Sequence, residues 1–158
     1  MTKSQYYNEI SRNKQLVSQY QNQINTLNKE INELEDARSK ISTLKSTLVS
    51  CKNSSVNRMS STSLVMKINS KIINKFCNNM NTLFEGAEYK SVNNGLGNGI
   101  TKIEDEITRK KNQITSLNNQ ISDCNGRISN MNMEIKRLEE QEREKEATRK
   151  AEEERKTQ

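Results

Sequence analysis

The chain predicts an all-α fold: a long antiparallel helical hairpin with coiled-coil packing and a charged C-terminal helical extension. Three observations predict it. Between Ile100 and Leu138 a heptad repeats without a slip, its first position reading Ile100, Ile107, Ile114, Ile121, Ile128, Ile135 and its fourth Ile103, Lys110, Leu117, Cys124, Met131, Leu138, eleven of the twelve apolar. Alternate steps of three and four keep one narrow stripe on a slightly underwound α-helix, the condition for knobs-into-holes packing. Secondly, proline is absent, and hydrophobic residues make up only 30% of 158 at a mean hydropathy of −1.01, so long helices are unopposed and material for a globular core is short. Thirdly, four of the five glycines fall between Gly86 and Gly99, where glycine ends helices cheaply and lets the chain reverse. A stripe of this kind gains nothing until another surface covers it, so the functional question is what does the covering.

The first arm carries a second seam through Tyr6, Ile10, Asn13, Val17, Tyr20, Ile24, Leu27, Ile31 and Leu34. After Leu34 the apolar layers read Ala37, Ile41, Leu44, Leu48 and Cys51, which places two steps of three in succession. Such a stammer overwinds a coiled coil locally, so the helix continues while its seam rotates. From Lys52 to Ser63 the seam thins to Ser55, Met59 and Thr62 in a serine-rich segment that admits a bend or frayed turn, though nothing there forbids a helix. Layers resume at Val65, Ile68, Ile72, Phe76, Met80 and Leu83, with Phe84 just beyond, and the glycines follow. The reversal is therefore expected near residues 84–99, inside a hairpin of residues 1–138. Past Leu138 the chain is a solvated helix or spacer, with eight positive and eight negative side chains between Lys136 and Gln158 and pairs such as Glu139/Arg143 and Glu146/Lys150 to support it.

Three registers can pair the arms. A reversal near Gly86 makes facing residue numbers total about 172, setting Ile72 against Ile100, Val65 against Ile107, Leu48 against Cys124, Leu44 against Ile128 and Leu34 against Leu138. Apolar then meets apolar throughout. Centring the turn on the later glycines raises the total to about 185 and puts Ile41 and Leu44 against the charged tail. The third register aligns two similar strings, Asn22-Gln23-Ile24-Asn25-Thr26-Leu27 and Asn112-Gln113-Ile114-Thr115-Ser116-Leu117. It sets Ile24 against Cys124 and Ile10 against Leu138 and leaves residues 52–95 as a separate head. It also brings Arg38 to Lys110 within the seam, a cost unless a carboxylate such as Asp36 or Glu106 reaches them. The first register is preferred. It leaves Ile10, Val17, Tyr20, Ile24, Leu27 and Ile31 facing the charged tail or nothing, and a stripe of that size, with Leu34 at its end, marks a binding surface for a helical partner.

The remaining composition narrows the chemistry. Histidine is absent and Cys51, Cys77 and Cys124 lack metal-ligand spacing, so neither a zinc site nor Cys-His or Ser-His catalysis is expected. Cys124 lies in the seam and reads as a small buried hydrophobe. Only three aspartates occur, and there is no phosphate loop, metal cluster or nucleophile with a base, so no enzyme and no cofactor is expected. The net charge of +6 invites a nucleic-acid reading, but the basic row Lys67, Lys71, Lys75 lacks clustered arginines and interleaved aromatics and reads better as a solvated helix face. No run approaches eighteen apolar residues and no basic-then-apolar leader opens the chain, so neither a membrane span nor a cleaved secretory signal is expected. A cytoplasmic place of synthesis fits the scattered cysteines.

At Leu83-Phe84-Glu85-Gly86 an apolar helix meets an aromatic-x-Gly turn and leads into a heptad helix. This resembles the WXG superfamily of helical hairpins tied to type VII secretion in Gram-positive bacteria. The long preceding arm, and Ile103-Glu104-Asp105-Glu106-Ile107 leading into another I-x-x-L arm, are closer still to the YwqH-like branch, whose members are encoded beside LXG polymorphic toxins. Two departures stand out. Phe84 takes the place of Trp, and no Tyr-x-x-x-Asp/Glu string follows the second helix. The resemblance implies a chaperone-like targeting partner that binds the helical LXG domain of a toxin, with Phe84 and Gly86 forming the hairpin end presented to the secretion machinery. It also implies that the protein is co-exported or stays behind as an accessory. A self-associating structural coiled coil and a basic nucleic-acid-binding module are the alternatives.

Overall fold

The computed structural model describes residues 1–65 and 71–156, and it is all-α: α1 spans Lys3–Val65, α2 Lys71–Glu85 and α3 Ala87–Lys156. Among the described residues there is no strand. α1 opens with a capping box that went unread in the sequence. The Thr2 N–H donates to Gln5 Oε1 (2.8 Å) and the Gln5 N–H donates to Thr2 Oγ1 (3.3 Å), so two of the donors every helix start leaves unpaired are satisfied reciprocally. The serine-rich segment does not interrupt α1, which runs on to Val65. Without glycine or proline the backbone ladder has no reason to break there, and hydroxyls such as Ser61 fold back onto it, Oγ donating to the Asn57 carbonyl at 3.0 Å. Of the residues expected in the apolar layers, Ile68 lies outside the described residues.

The covered face of α1 follows an uninterrupted heptad. Side chains at 10, 13, 17, 20, 24, 27, 31, 34, 38, 41, 45, 48, 52, 55 and 59 are buried or half-buried, always three or four apart. The expected stammer is therefore absent. The seam keeps its period by accepting Arg38, Lys45 and Lys52, while Leu44 is left 57% exposed and Cys51 exposed. Long basic side chains can lay their methylene stems along a seam and carry the charge out to its edge, so keeping the period does not require burying a bare cation.

The chain divides into two units. In the first, residues 1–28 pack with 111–158. Ile10, Ile24, Cys124 and Ile135 are its apolar centre, each 5 or 6% exposed, and Lys3 is paired with Glu142. Asn13 is also buried at 5%; its Nδ2 donates to the Glu9 carbonyl at 2.8 Å, and its Oδ1 has no hydrogen-bond partner. α3 leaves this packing at its end, where residues 140–155 are all exposed. Along that end Lys150 pairs with Glu146 at 3.1 Å as expected, whereas Arg143 Nε donates to the backbone carbonyl of Glu139 rather than to its carboxylate.

The second unit comprises residues 29–110 and is centred on Ile31 and Ile107. Four cross-helix approaches define its register: Glu30 with Lys110, Arg38 with Glu104, Lys45 with Gly97, and Lys52 with Tyr89. As one number rises the other falls, so the helices are antiparallel, and each pair of numbers totals 140 to 142. The preferred total of 172 is thus wrong. Cys124 belongs to the unit of residues 1–28 and Leu48 to the other, and Lys3 with Glu142 totals 145. The arrangement lies within about two helical turns of the third register, but residues 52–95 are not a separate head, since they form one unit with the rest of residues 29–110.

With Lys52 already against Tyr89, the chain has reversed before residue 89, and residues 87–99 belong to α3 rather than to a turn at residues 84–99. Gly86 alone separates α2 from α3. Its N–H donates to the Leu83 carbonyl (3.3 Å) and its own carbonyl accepts from Lys90 N–H (3.2 Å), a local tightening that joins one helix to the next. A Cβ at Gly86 would stand 2.7 Å from the Thr82 carbonyl oxygen, which explains the residue without invoking a hairpin turn. Gly95, Gly97 and Gly99 are inside α3.

Candidate functional site

The stripe expected to await a partner is already covered. Ile10, Ile24 and Ile31 are each 6% exposed, and Val17, Tyr20, Leu27 and Leu34 are half-buried on the same face. This corrects the expected docking surface. The physical reason is the register: with totals of 140 to 145, Ile10 and Ile24 of α1 meet the isoleucine-rich part of α3 rather than its charged end. Of the hairpin-turn residues, Phe84 and Gly86 are both half-buried, at the α2–α3 junction.

The charges of the second unit show how that register tolerates cations in the seam. Lys110, the one polar residue in the heptad from Ile100 to Leu138, has a side chain only 14% exposed, and its Nζ lies 2.7 Å from Glu30 Oε2 and 3.3 Å from Glu106 Oε1. The Glu30 hydrogen bond, with Glu106 behind it, raises the ammonium above its usual range. Glu106 is gripped twice: the Arg109 guanidinium and then the Lys110 ammonium pull its carboxyl down to about 2. Arg38 lies 3.7 Å from Glu104. The Arg38–Lys110 clash expected for aligned arms is avoided because the observed register sets the two about two turns apart, and each cation meets its own carboxylate, Glu106 being one of the two named for that role.

These contacts also say which residues share a flank. Glu30 and Glu106 each stand one residue before a buried isoleucine, Ile31 or Ile107, and both reach Lys110. Positions one residue ahead of a seam position on α1 and on α3 therefore lie on the same side of the pair. Carried along both helices, the rule places Ala37, Leu44 and Cys51 of α1 beside Val92 and Gly99 of α3. Leu44 and Val92 are 57% and 54% exposed, Cys51 is exposed, and the alanine and glycine between them keep the strip low. This strip was missed in the sequence. The signal existed: Arg38, Lys45 and Lys52 continue the seven-residue spacing of Ile24 and Ile31, and that spacing puts Leu44 outside the seam.

α2 presents a second uncovered surface. Ile72, Phe76 and Leu83 are 80, 59 and 54% exposed and fall within an arc of about 40° at 3.6 residues per turn, while Ile73, Cys77, Met80 and Phe84 on the adjoining face are half-buried. Lys71 and Lys75 are exposed; Lys67, the first of the basic row, lies outside the described residues. A shallow depression on α1 around Lys45, Val49, Asn53 and Asn57 is too open to enclose a small molecule. Among the described residues no group of three His, Cys, Asp or Glu side chains could hold a metal ion, and no helix is long and apolar enough to cross a membrane.

No protein-family model, curated protein or solved structure matches the chain.

Proposed function

We propose that this chain is a non-catalytic interaction module whose two-helix seam is completed by a helix from another protein. One observation carries the reading: the strip of Leu44, Val92 and their small neighbours leaves large apolar side chains more than half exposed directly beside the seam. In the same spirit, no large side chain among the described residues is fully buried, so a third helix laid along the flank gains burial for both partners. Alanine and glycine let its backbone come close.

The resemblance at Phe84–Gly86 supplies the partner's class: the helical LXG domain of a polymorphic toxin, accompanied or prepared for type VII secretion. The docking face then lies on the flank of α1 and α3 rather than on the stripe from Ile10 to Leu34. Co-expression of the full chain with such a domain tests this. Co-elution on a sizing column that is lost with Leu44→Glu plus Val92→Glu is the expected result, and separate elution of the unaltered proteins overturns it. A homodimer by light scattering, dissociated by the same two substitutions, would assign the strip to a second copy of this chain instead.

A further inference from the structure

From Ala37 to Phe84 the sequence holds eight basic residues (Arg38, Lys40, Lys45, Lys52, Arg58, Lys67, Lys71, Lys75) and no Asp or Glu. The whole chain carries +6, so the other residues together are slightly acidic and the excess positive charge belongs entirely to this stretch. It includes all of α2 but Glu85, and α2 turns Ile72, Phe76 and Leu83 outward beside exposed Lys71 and Lys75. We propose that the outer face of α2, Ile72, Phe76 and Leu83 with the exposed Lys71 and Lys75, is a peripheral docking surface for an anionic lipid bilayer. This goes beyond the interaction proposed above and uses a different face.

Two features favour lipid over other anionic partners. Bilayer attachment needs both an apolar stripe to enter the acyl boundary and a basic surround to hold acidic headgroups, because either signal alone binds weakly. α2 supplies both: its three outward apolar side chains form one stripe, and its lysines stand a quarter-turn away, where their stems can lie on the interface while the ammonium groups stay among headgroups. A phosphate backbone of DNA or RNA would use the lysines and leave Ile72 and Leu83 idle, since neither stacks on a base nor reads one. Apart from Glu85 at its C-terminal end, the remaining polar surface of α2 is asparagine and threonine, neutral donors and acceptors suited to headgroups.

The experiment is co-sedimentation of the full chain with phosphatidylcholine vesicles, with and without phosphatidylglycerol. The expected result is retention only on the phosphatidylglycerol vesicles, weakening as salt is raised, and falling about tenfold or more in Ile72→Ser plus Phe76→Ser. The chain has no tryptophan, so Phe76→Trp adds a single reporter whose emission shifts to the blue on those vesicles. Circular dichroism of each variant shows that the helices persist. Leu44→Glu plus Val92→Glu, which disables the proposed partner flank, leaves vesicle binding unchanged, so the two readings fail separately. No retention on phosphatidylglycerol vesicles at low salt overturns the proposal. So does equal retention on neutral vesicles, or retention on duplex DNA that Ile72→Ser plus Phe76→Ser does not weaken.

Discussion

Replacing Ile24 by alanine distinguishes the observed pairing of the arms from the pairing that their apolar content alone favours. Ile24 is 6% exposed, whereas Leu44 is 57% exposed. Removing three buried carbons forfeits about 2.4 kcal/mol at roughly 0.8 kcal/mol per methylene, and the cavity adds little because neighbouring seam residues are half-exposed and can relax. Ile24→Ala, and likewise Ile31→Ala, should therefore cost about 2–3 kcal/mol, and Leu44→Ala less than about 1 kcal/mol. For a chain of this size the first pair corresponds to a melting shift of about 5–10 °C each. Urea titration followed by far-UV circular dichroism measures all three, the midpoint moving while the slope stays constant. In a register totalling 172 the order inverts, Leu44 being covered by Ile128 while Ile24 is wet. A Leu44→Ala variant destabilised as much as Ile24→Ala, or a neutral Ile24→Ala, would refute the assignment.

Three further outcomes follow from single contacts. Gly95→Ala and Gly99→Ala meet nothing within 4 Å inside α3, so each should stabilise by about 0.8–1 kcal/mol, whereas Gly86→Ala, whose Cβ would stand 2.7 Å from Thr82 O, should destabilise; thermal melts that rank them otherwise would return the glycines to a turn. Glu106 is held at about 2 against an ordinary 4.5, so its contribution is complete above about 4.5 and is lost as pH falls toward 2. Glu106→Gln should accordingly reduce the loss of stability over that window in an acid titration, and an unchanged profile would mean that Arg109 and Lys110 do not grip it. Asn13→Ile replaces a buried amide whose oxygen has no partner and should raise stability by about 1–2 kcal/mol in urea, at the expense of a polar residue that helps to pin the register.

The heptad of Ile100 to Leu138, the long arms and the exposed charged end were legible because each depends on local periodicity, which a helix imposes on every residue in it. Cys124 was legible for the same reason. The capping box at Thr2 and Gln5 was also readable, as a spacing of three, and was overlooked. What tertiary structure alone decided is how the arms slide past one another. Sliding by whole heptads keeps apolar layers facing apolar layers, so the stripe by itself leaves several registers close in energy. The choice rests on polar pairs: Lys110 between Glu30 and Glu106, Arg38 beside Glu104, and Lys52 over the Tyr89 ring at 4.8 Å. The cross-helix pairings among them, Glu30 with Lys110, Arg38 with Glu104 and Lys52 with Tyr89, join residues 37 to 80 positions apart, and no period along one helix contains them. They cover the stripe from Ile10 to Leu34 and leave the flank at Leu44 and the outer face of α2 open, so the surface left for other molecules follows from register rather than from hydrophobic pattern.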